Sequence, residues 1–372
     1  VNCTQSGLRR TNQYYNKMSR QFPSSFLLCI LIALWGSYTT HALQSHRPFA
    51  LMTGATGRTG QLLSGLLLDR GFGFRIVARD SNKAREIMDK VQNNTGTMGN
   101  RIEICQGDLG DTTSIQAAFA EAIRPITHVI FLAGGEGADY NAVNFRGVTE
   151  CSQQAVKYGV EHMVVISTAW ATRPYSIVLQ LFNSMYNTVP MACHYMGEQE
   201  LRRAVVKSNL NYVILRAGGL NSDARYAEKY PEADQMGLTY QQGDVFEFLG
   251  PAGRPGMKRT QLVHAVCSAT HVKGRYTVEI TGSGQTDLGD STVYETMVPD
   301  SNKDEFDGPS NEDIMAIHFQ AVEELKRTAI AASVGGIALG FFLGWVQGIA
   351  SLFVVDAMLI FIWSKLFATR QI

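Results

Sequence analysis

Gly54-Ala55-Thr56-Gly57-Arg58-Thr59-Gly60 is the stretch that decides how this chain is read. A short apolar run, Phe49 to Met52, precedes it and has the character of a strand; Gln61 to Leu68 follows and has the character of a helix. A glycine-rich turn between a strand and a helix N-terminus suits a pyrophosphate. The first glycine permits the tight turn, the second lets backbone approach the phosphates, and the third allows close helix–strand packing. The helix N-terminus then offers unpaired N–H groups to the anion. The glycine spacing alone is a weak signal, and its context gives it meaning. Gly54, Thr56, Gly57, Arg58, Thr59 and Gly60 are therefore the expected phosphate contacts.

Outward from this turn, apolar strand-like runs alternate with amphipathic stretches as far as Thr281. The strands are expected at 49–53, 74–78, 102–106, 128–132, 162–167, 212–216 and 276–280. The helices are expected at 60–70, 82–90, 112–122, 141–157 and 197–207. Strands alternating with helices predict an α/β fold with a doubly wound parallel sheet, covered on both faces.

The chain has 372 residues, and its 33 Lys and Arg balance 33 Asp and Glu. Nothing in that balance favours nucleic acid as a partner. The six cysteines show neither C-x-x-C spacing nor histidines at zinc spacing, so no metal site is expected. Cys105, Cys151, Cys193 and Cys267 read as core or helix positions.

Residues 18–42 have the layout of a secretory signal peptide: Arg20, an apolar core from Phe26 to Trp35, and Thr40-His41-Ala42 with small residues at the cleavage positions. An uncleaved signal anchor is the alternative. Residues 1–17 are set aside from the fold. A Rossmann-type domain is expected over 48–299, then an acidic linker and amphipathic helix over 300–327. Ser310-Asn311-Glu312-Asp313 is a capping box that opens this helix, with Ile314, Ile317, Ala321 and Leu325 near one face.

From Thr328 to Trp363 the chain is almost free of charge, Asp356 being the exception. Residues 328–366 are thus expected in a membrane, as one transmembrane helix or a helical hairpin. The hairpin is slightly favoured because it places Lys326-Arg327 and Lys365 with Arg370 on one side. Ala332, Gly336, Gly340, Gly344 and Gly348 recur every four residues, which predicts a helix–helix partner along that face.

Further segments follow the order of a known superfamily. They are Val77-Ala78-Arg79, Gly107-Asp108-Leu109-Gly110-Asp111, Leu132-Ala133-Gly134-Gly135, Val143-Asn144-Phe145-Arg146-Gly147, Ser167-Thr168 and Leu215-Arg216-Ala217-Gly218-Gly219-Leu220. Over about residues 48–282 the chain resembles the atypical short-chain dehydrogenase/reductase superfamily, in particular its NmrA-like and plastid NAD(P)-binding members. The resemblance implies that Arg79 meets the 2′-phosphate of NADP, that Asp108 and Leu109 lie beside the adenine, and that Ala133 and Gly134 line the exit of the fourth strand. It departs from the family's R-P-G-G-L stretch at Ala217, which replaces proline.

The residues themselves support NADP(H) over NAD(H). NAD binders place an acidic residue at the end of the second strand. Arg79 stands there, with Arg58 in the neighbouring loop, and guanidinium groups suit a phosphate. Asp80 follows immediately, and an exposed strand-end charge is the alternative reading of Arg79.

Short-chain dehydrogenases use a Tyr-x-x-x-Lys pair in which lysine lowers the tyrosine's pKa. No tyrosine here has lysine four residues on; Tyr195 has Gln199. Ser167 and Tyr195 are the candidate catalytic residues, and the missing cation leaves enzyme activity open. The aromatic-rich stretch from Trp170 to Met191 is expected to form a lid over the cleft. Two functions remain. One is a weakly catalytic or non-catalytic NAD(P)-binding subunit of a membrane complex. The other is an NADPH-dependent oxidoreductase acting on a lipid, isoprenoid or quinone. The leader implies entry into the endoplasmic reticulum, or alternatively the plastid of a complex-plastid alga. Asn93-Asn94-Thr95 is a glycosylation sequon that reports on the compartment.

Overall fold

A computed structural model describes residues 47–96, 101–135, 139–176, 179–180, 183, 189–221, 237–243, 256–284, 287, 290–300 and 306–343. The fold below belongs to the unit Pro48–Ile372. The expected leader at 18–42 lies outside the described residues. So do 344–366 of the expected membrane segment, with Gly344, and Ile177, Val178, Leu181 and Met185 of the expected lid.

In chain order the elements are β1 (Phe49–Thr53), α1 (Arg58–Asp69), β2 (Gly73–Ala78), α2 (Ser81–Thr95), β3 (Ile102–Gln106), α3 (Thr112–Ala120) and β4 (His128–Phe131). A π-helical segment (Asn141–Gly147) runs directly into α4 (Val148–Lys157). There follow β5 (His162–Thr168), α5 (Pro190–Ala204), β6 (Asn211–Ala217), β7 (Gly219–Asn221), β8 (Gly237–Gln241), β9 (Gly256–Lys258), α6 (Arg259–Ala269), β10 (Arg275–Gly284) and α7 (Asn311–Leu343).

The main sheet has the order β3-β2-β1-β4-β5-β6-β10-β8. Every pairing in it is parallel except β10 with β8. β1 is buried along its whole length, as expected of a strand covered on both faces. Its alternate residues feed two cores. Ala50 and Met52 pack with Leu63 and Leu67 of α1, Met88 of α2 and Val266 of α6. Phe49 and Leu51 pack with Ile115 and Phe119 of α3, Cys151 of α4 and Leu201 of α5. This double-sided burial, on the order of 1.5–3 kcal/mol for each large apolar side chain, holds the doubly wound sheet together.

The parallel strands match the expectations to within one or two residues at most ends; β10 runs on to Gly284. Two differences have physical causes. The helix expected at 197–207 begins at Pro190, which fits the first helical position because its missing N–H needs no partner there. The helix expected at 141–157 opens with seven π-helical residues. The amphipathic helix opened by Ser310 runs unbroken past Arg327 to Leu343 as α7. Its beginning is packed against the domain. Ile314 and Val322 pack against Cys193, Tyr195 and Met196 of α5, and Ala321 packs against Tyr175. The Ser310 hydroxyl accepts from the Asp313 N–H at 3.1 Å, as a capping residue does. Among the described residues no helix is long and apolar enough to cross a membrane. All four described cysteines are free and buried, as expected.

Candidate functional site

In an open α/β sheet, ligands bind beyond the carboxyl ends of the strands, where the strand order reverses. Here β1 pairs with β2 on one side and β4 on the other, so the reversal lies between β1 and β4. A cleft of about 700 Å³ opens at that point. Its walls are the residues that leave the strands: Gly54, Thr56 and Gly57 after β1, Ala78 and Arg79 at the end of β2, Gly107 to Asp111 after β3, and Leu132 to Gly135 after β4. Asp139, Ala142 and Val143 close the far side.

The turn after β1 is built by its glycines. Gly54 has φ +70°, and a Cβ there would lie 2.8 Å from the Ala133 nitrogen. Its carbonyl accepts from the Gly57 N–H at 3.0 Å, closing the turn. Gly60 begins the packing of α1: a Cβ there would collide with the Gly54 carbonyl oxygen and lie 2.6 Å from the Ala55 Cα. Gly57 caps α1 with extended backbone and no side-chain bond. The leading N–H groups of a helix have no intrahelical acceptor and favour an anion.

The other walls are fixed by hydrogen bonds. Thr53 Oγ1 accepts from the Leu132 and Ala133 N–H groups at 3.2 and 3.3 Å, tying the end of β1 to the exit of β4. Asp108 Oδ1 accepts from the Gly110 N–H at 2.8 Å. Asp111 caps α3 by accepting from the N–H groups of Thr113 and Ser114. The hydroxyls of Thr113 and Ser114 also donate to it, which holds its carboxyl below the usual carboxylate range. Asn144 Oδ1 accepts from the Gly135 N–H at 2.7 Å. Arg79 stands exposed on the cleft wall. Asp80, the acidic residue beside it, caps α2 by accepting from the Lys83 N–H at 2.9 Å.

Of the expected cofactor contacts, Gly54, Thr56, Gly57, Arg79, Asp108, Leu109, Ala133 and Gly134 line this one cleft. Arg58, Thr59 and Gly60 form the first turn of α1 at its edge and are not among the lining residues. Asp139 and Ala142 were not singled out from the sequence; they stand between motifs and carry no signature of their own.

Ser167 and Tyr195 are not among the residues that line the cleft. The Ser167 hydroxyl donates to Glu198 Oε1 at 2.6 Å inside a buried cluster. Arg216 donates to the same carboxylate through Nε at 3.0 Å and Nη2 at 2.6 Å, and Arg202 lies 3.3 Å from it. Burial raises the Glu198 pKa, but Arg216 and Arg202 outweigh it, and the net direction is down. Tyr195 is 5 % exposed and shares its apolar cluster with Ile314 and Val322 of α7. Burial pushes its phenol up, which is opposite to what a catalytic lysine achieves. Sequence reading did not connect Glu198 to Arg216. An arginine inside the apolar run Tyr212–Arg216 was the available signal, since a buried cation needs an anion.

Comparison with known proteins agrees with this geometry. A family described as NAD(P)H-binding matches residues 54–248. Two uncharacterised chloroplastic proteins of Arabidopsis thaliana are each 26% identical to the chain. One match covers 215 residues, 56% of this chain and 69% of the relative; the other covers 206 residues, 50% of this chain and 57% of the relative. Among solved structures, a putative NAD-dependent epimerase/dehydratase from Bacillus halodurans is 19% identical, with a TM-score of 0.46, over 67% of this chain and all of its own. The WbmG enzyme of Bordetella bronchiseptica, in complex with NAD and UDP, is 15% identical, with a TM-score of 0.42, over 74% of this chain and 78% of its own. The matched region begins at the first glycine of the phosphate turn and takes in every wall of the cleft, so the chain belongs to the NAD(P)H-binding family.

Proposed function

We propose that this chain binds NADP(H) as a weakly catalytic or non-catalytic subunit of a membrane complex, tethered through residues 328–366. The observation that carries this reading is the state of Ser167 and Tyr195. One is held by Glu198 and the other is buried beneath α7, with neutral Gln199 four residues on. A proton-transfer group must reach the substrate it serves, and neither residue lines the cleft. The exposed guanidinium of Arg79 supports NADP(H) over NAD(H), and the neighbouring Asp80 carboxylate is engaged as a helix cap. The apolar run that continues from α7 supports the tether. The names of the two chloroplastic relatives favour the plastid over the endoplasmic reticulum as its destination.

Titration of the purified full chain with NADPH, followed by turnover assays against a panel of quinones and carbonyls, tests this. Tight binding without turnover is expected; turnover with a quinone or lipid carbonyl would replace the proposal with the oxidoreductase reading. Flotation with lipid vesicles tests the tether, and recovery in the lipid-free fraction refutes it. Asn93 is exposed in the last turn of α2, so a glycan mass on it would place the domain in the secretory lumen and refute the plastid reading.

A further inference from the structure

The π-helical segment Asn141–Gly147 touches two parts of the molecule. Toward the cleft it presents Ala142 and Val143 as lining residues. On its other side, Tyr140, immediately before it, and Phe145 within it pack on the cluster that joins α5 to Ile314 and Val322 of α7. Asn144, only 2 % exposed, bridges both sides. Its Oδ1 accepts from the Gly135 N–H on the cleft wall, and its Nδ2 lies 3.2 Å from Nε2 of half-buried His194, the neighbour of Tyr195 in α5. π-helical turns are rare and frequent at functional sites. This one continues into α4 without interruption, so rewinding to α geometry is its neighbouring state.

The docked face of α7 carries a second anomaly. His318 is fully buried there, in helical phase with Ile314, Ala321, Val322 and Leu325. Both of its ring nitrogens are without a hydrogen-bond partner. A buried polar group left unpaired destabilises the arrangement that buries it. The docked helix thus holds an internal reason to open.

We propose that docking of α7 and occupancy of the nucleotide cleft are linked, with the Asn141–Gly147 segment as the element both of them bias. The proposal rests on the cofactor reading of the cleft. A nucleotide seated against Gly134 and Gly135 orders the loop that Asn144 holds, and so favours the segment's docked geometry toward Tyr140, Phe145 and α7. Linkage is reciprocal: whatever the nucleotide does to α7 docking, α7 docking does to nucleotide affinity by the same factor. The cofactor state of the domain is thereby reported on a helix that leads directly into the apolar C-terminal run.

The test uses the full chain. Hydrogen exchange across residues 314–325 is measured with and without saturating NADPH, and slower exchange with NADPH is expected. NADPH affinity is then measured for two variants that do not touch the cleft. Ala321→Asp places a charge in the buried docking face and is expected to weaken NADPH binding on the order of tenfold, within the usual range of coupling. His318→Leu removes the unpaired ring and is expected to tighten it severalfold. Exchange that ignores NADPH overturns the proposal, as does wild-type affinity in Ala321→Asp. If Ala321→Asp fails to fold, the exchange of the wild-type chain and the affinity of His318→Leu decide. A wild-type chain that binds no NADPH refutes the cofactor reading itself, and the absence of binding identifies that failure.

Discussion

Glu198→Gln isolates the buried charge cluster between β5, α5 and β6. Glu198 is 1 % exposed and Arg216 is 5 % exposed, so neither charge is relieved by water. The carboxylate accepts two bonds from Arg216 and one from Ser167, with Arg202 at 3.3 Å. Glutamine keeps one acceptor but turns an NH2 group toward the arginine donors. It also removes the carboxylate that Arg216 holds at 2.6 Å. Breaking one side of a buried pair costs about 3–5 kcal/mol. Domain stabilities lie at about 5–15 kcal/mol, so this is a large fraction of the whole. Urea unfolding followed by circular dichroism measures it. A combined Glu198→Leu, Arg216→Met variant recovers much of the loss, because an apolar replacement of both partners leaves no orphaned charge. NADPH affinity of folded Glu198→Gln stays near that of the wild type, since Glu198 does not line the cleft. A loss below about 1 kcal/mol, the range of an exposed pair, would refute the reasoning.

Three further outcomes are expected. Arg79→Ala weakens NADPH binding by roughly tenfold or more, the worth of one charged hydrogen bond, and leaves NADH affinity nearly unchanged; equal losses for both nucleotides would contradict the phosphate role. Gly60→Ala forces α1 away from the turn and costs on the order of 1–3 kcal/mol or more, together with most NADPH affinity; a calorimetric titration indistinguishable from wild type would be inconsistent with the close approach at Gly60. The buried histidines make the fold acid-labile. Burial takes His128, His194 and His318 from 6.5 down to about 4. The unfolded chain therefore gains their protons first, and stability is intact above about pH 6.5 and lost as pH falls toward 4. Each contributes on the order of 3 kcal/mol to that loss. Urea midpoints measured between pH 7 and pH 4 check this, and a flat profile speaks against it.

The parallel sheet was legible because its strands are short, mostly apolar runs that alternate with amphipathic stretches, and the cleft followed because its walls are strand exits. What escaped reading lacks such a pattern. In α6, Gln261, Leu262, Val263, Ala265, Val266 and Cys267 are all buried, so no polar face marks its period. β9 is only three residues long, below the length at which alternation means anything. The π-helical start of the Asn141 helix depends on its packing between the cleft and α5, and single-residue propensities do not encode it. The 300–309 linker was read from composition, yet Asp300 accepts from the Tyr212 hydroxyl at 2.9 Å and the Thr277 hydroxyl at 2.6 Å. An acidic residue that anchors a segment looks the same in sequence as one that solubilises it. At Ser167 and Tyr195 the family pattern gave the position, while the partners that occupy them came from residues far along the chain.

Because α7 passes residues 327 and 328 as one uninterrupted helix, its two halves share a single rotational phase. Each residue inserted there would advance the distal half by about 1.5 Å and swing it by about 100°. Anything gripping the far end is thus presented with the nucleotide domain at one azimuth, and the connection works as a keyed shaft. Length changes in this joint should be tolerated only in steps near seven residues, which restore the bearing after two turns.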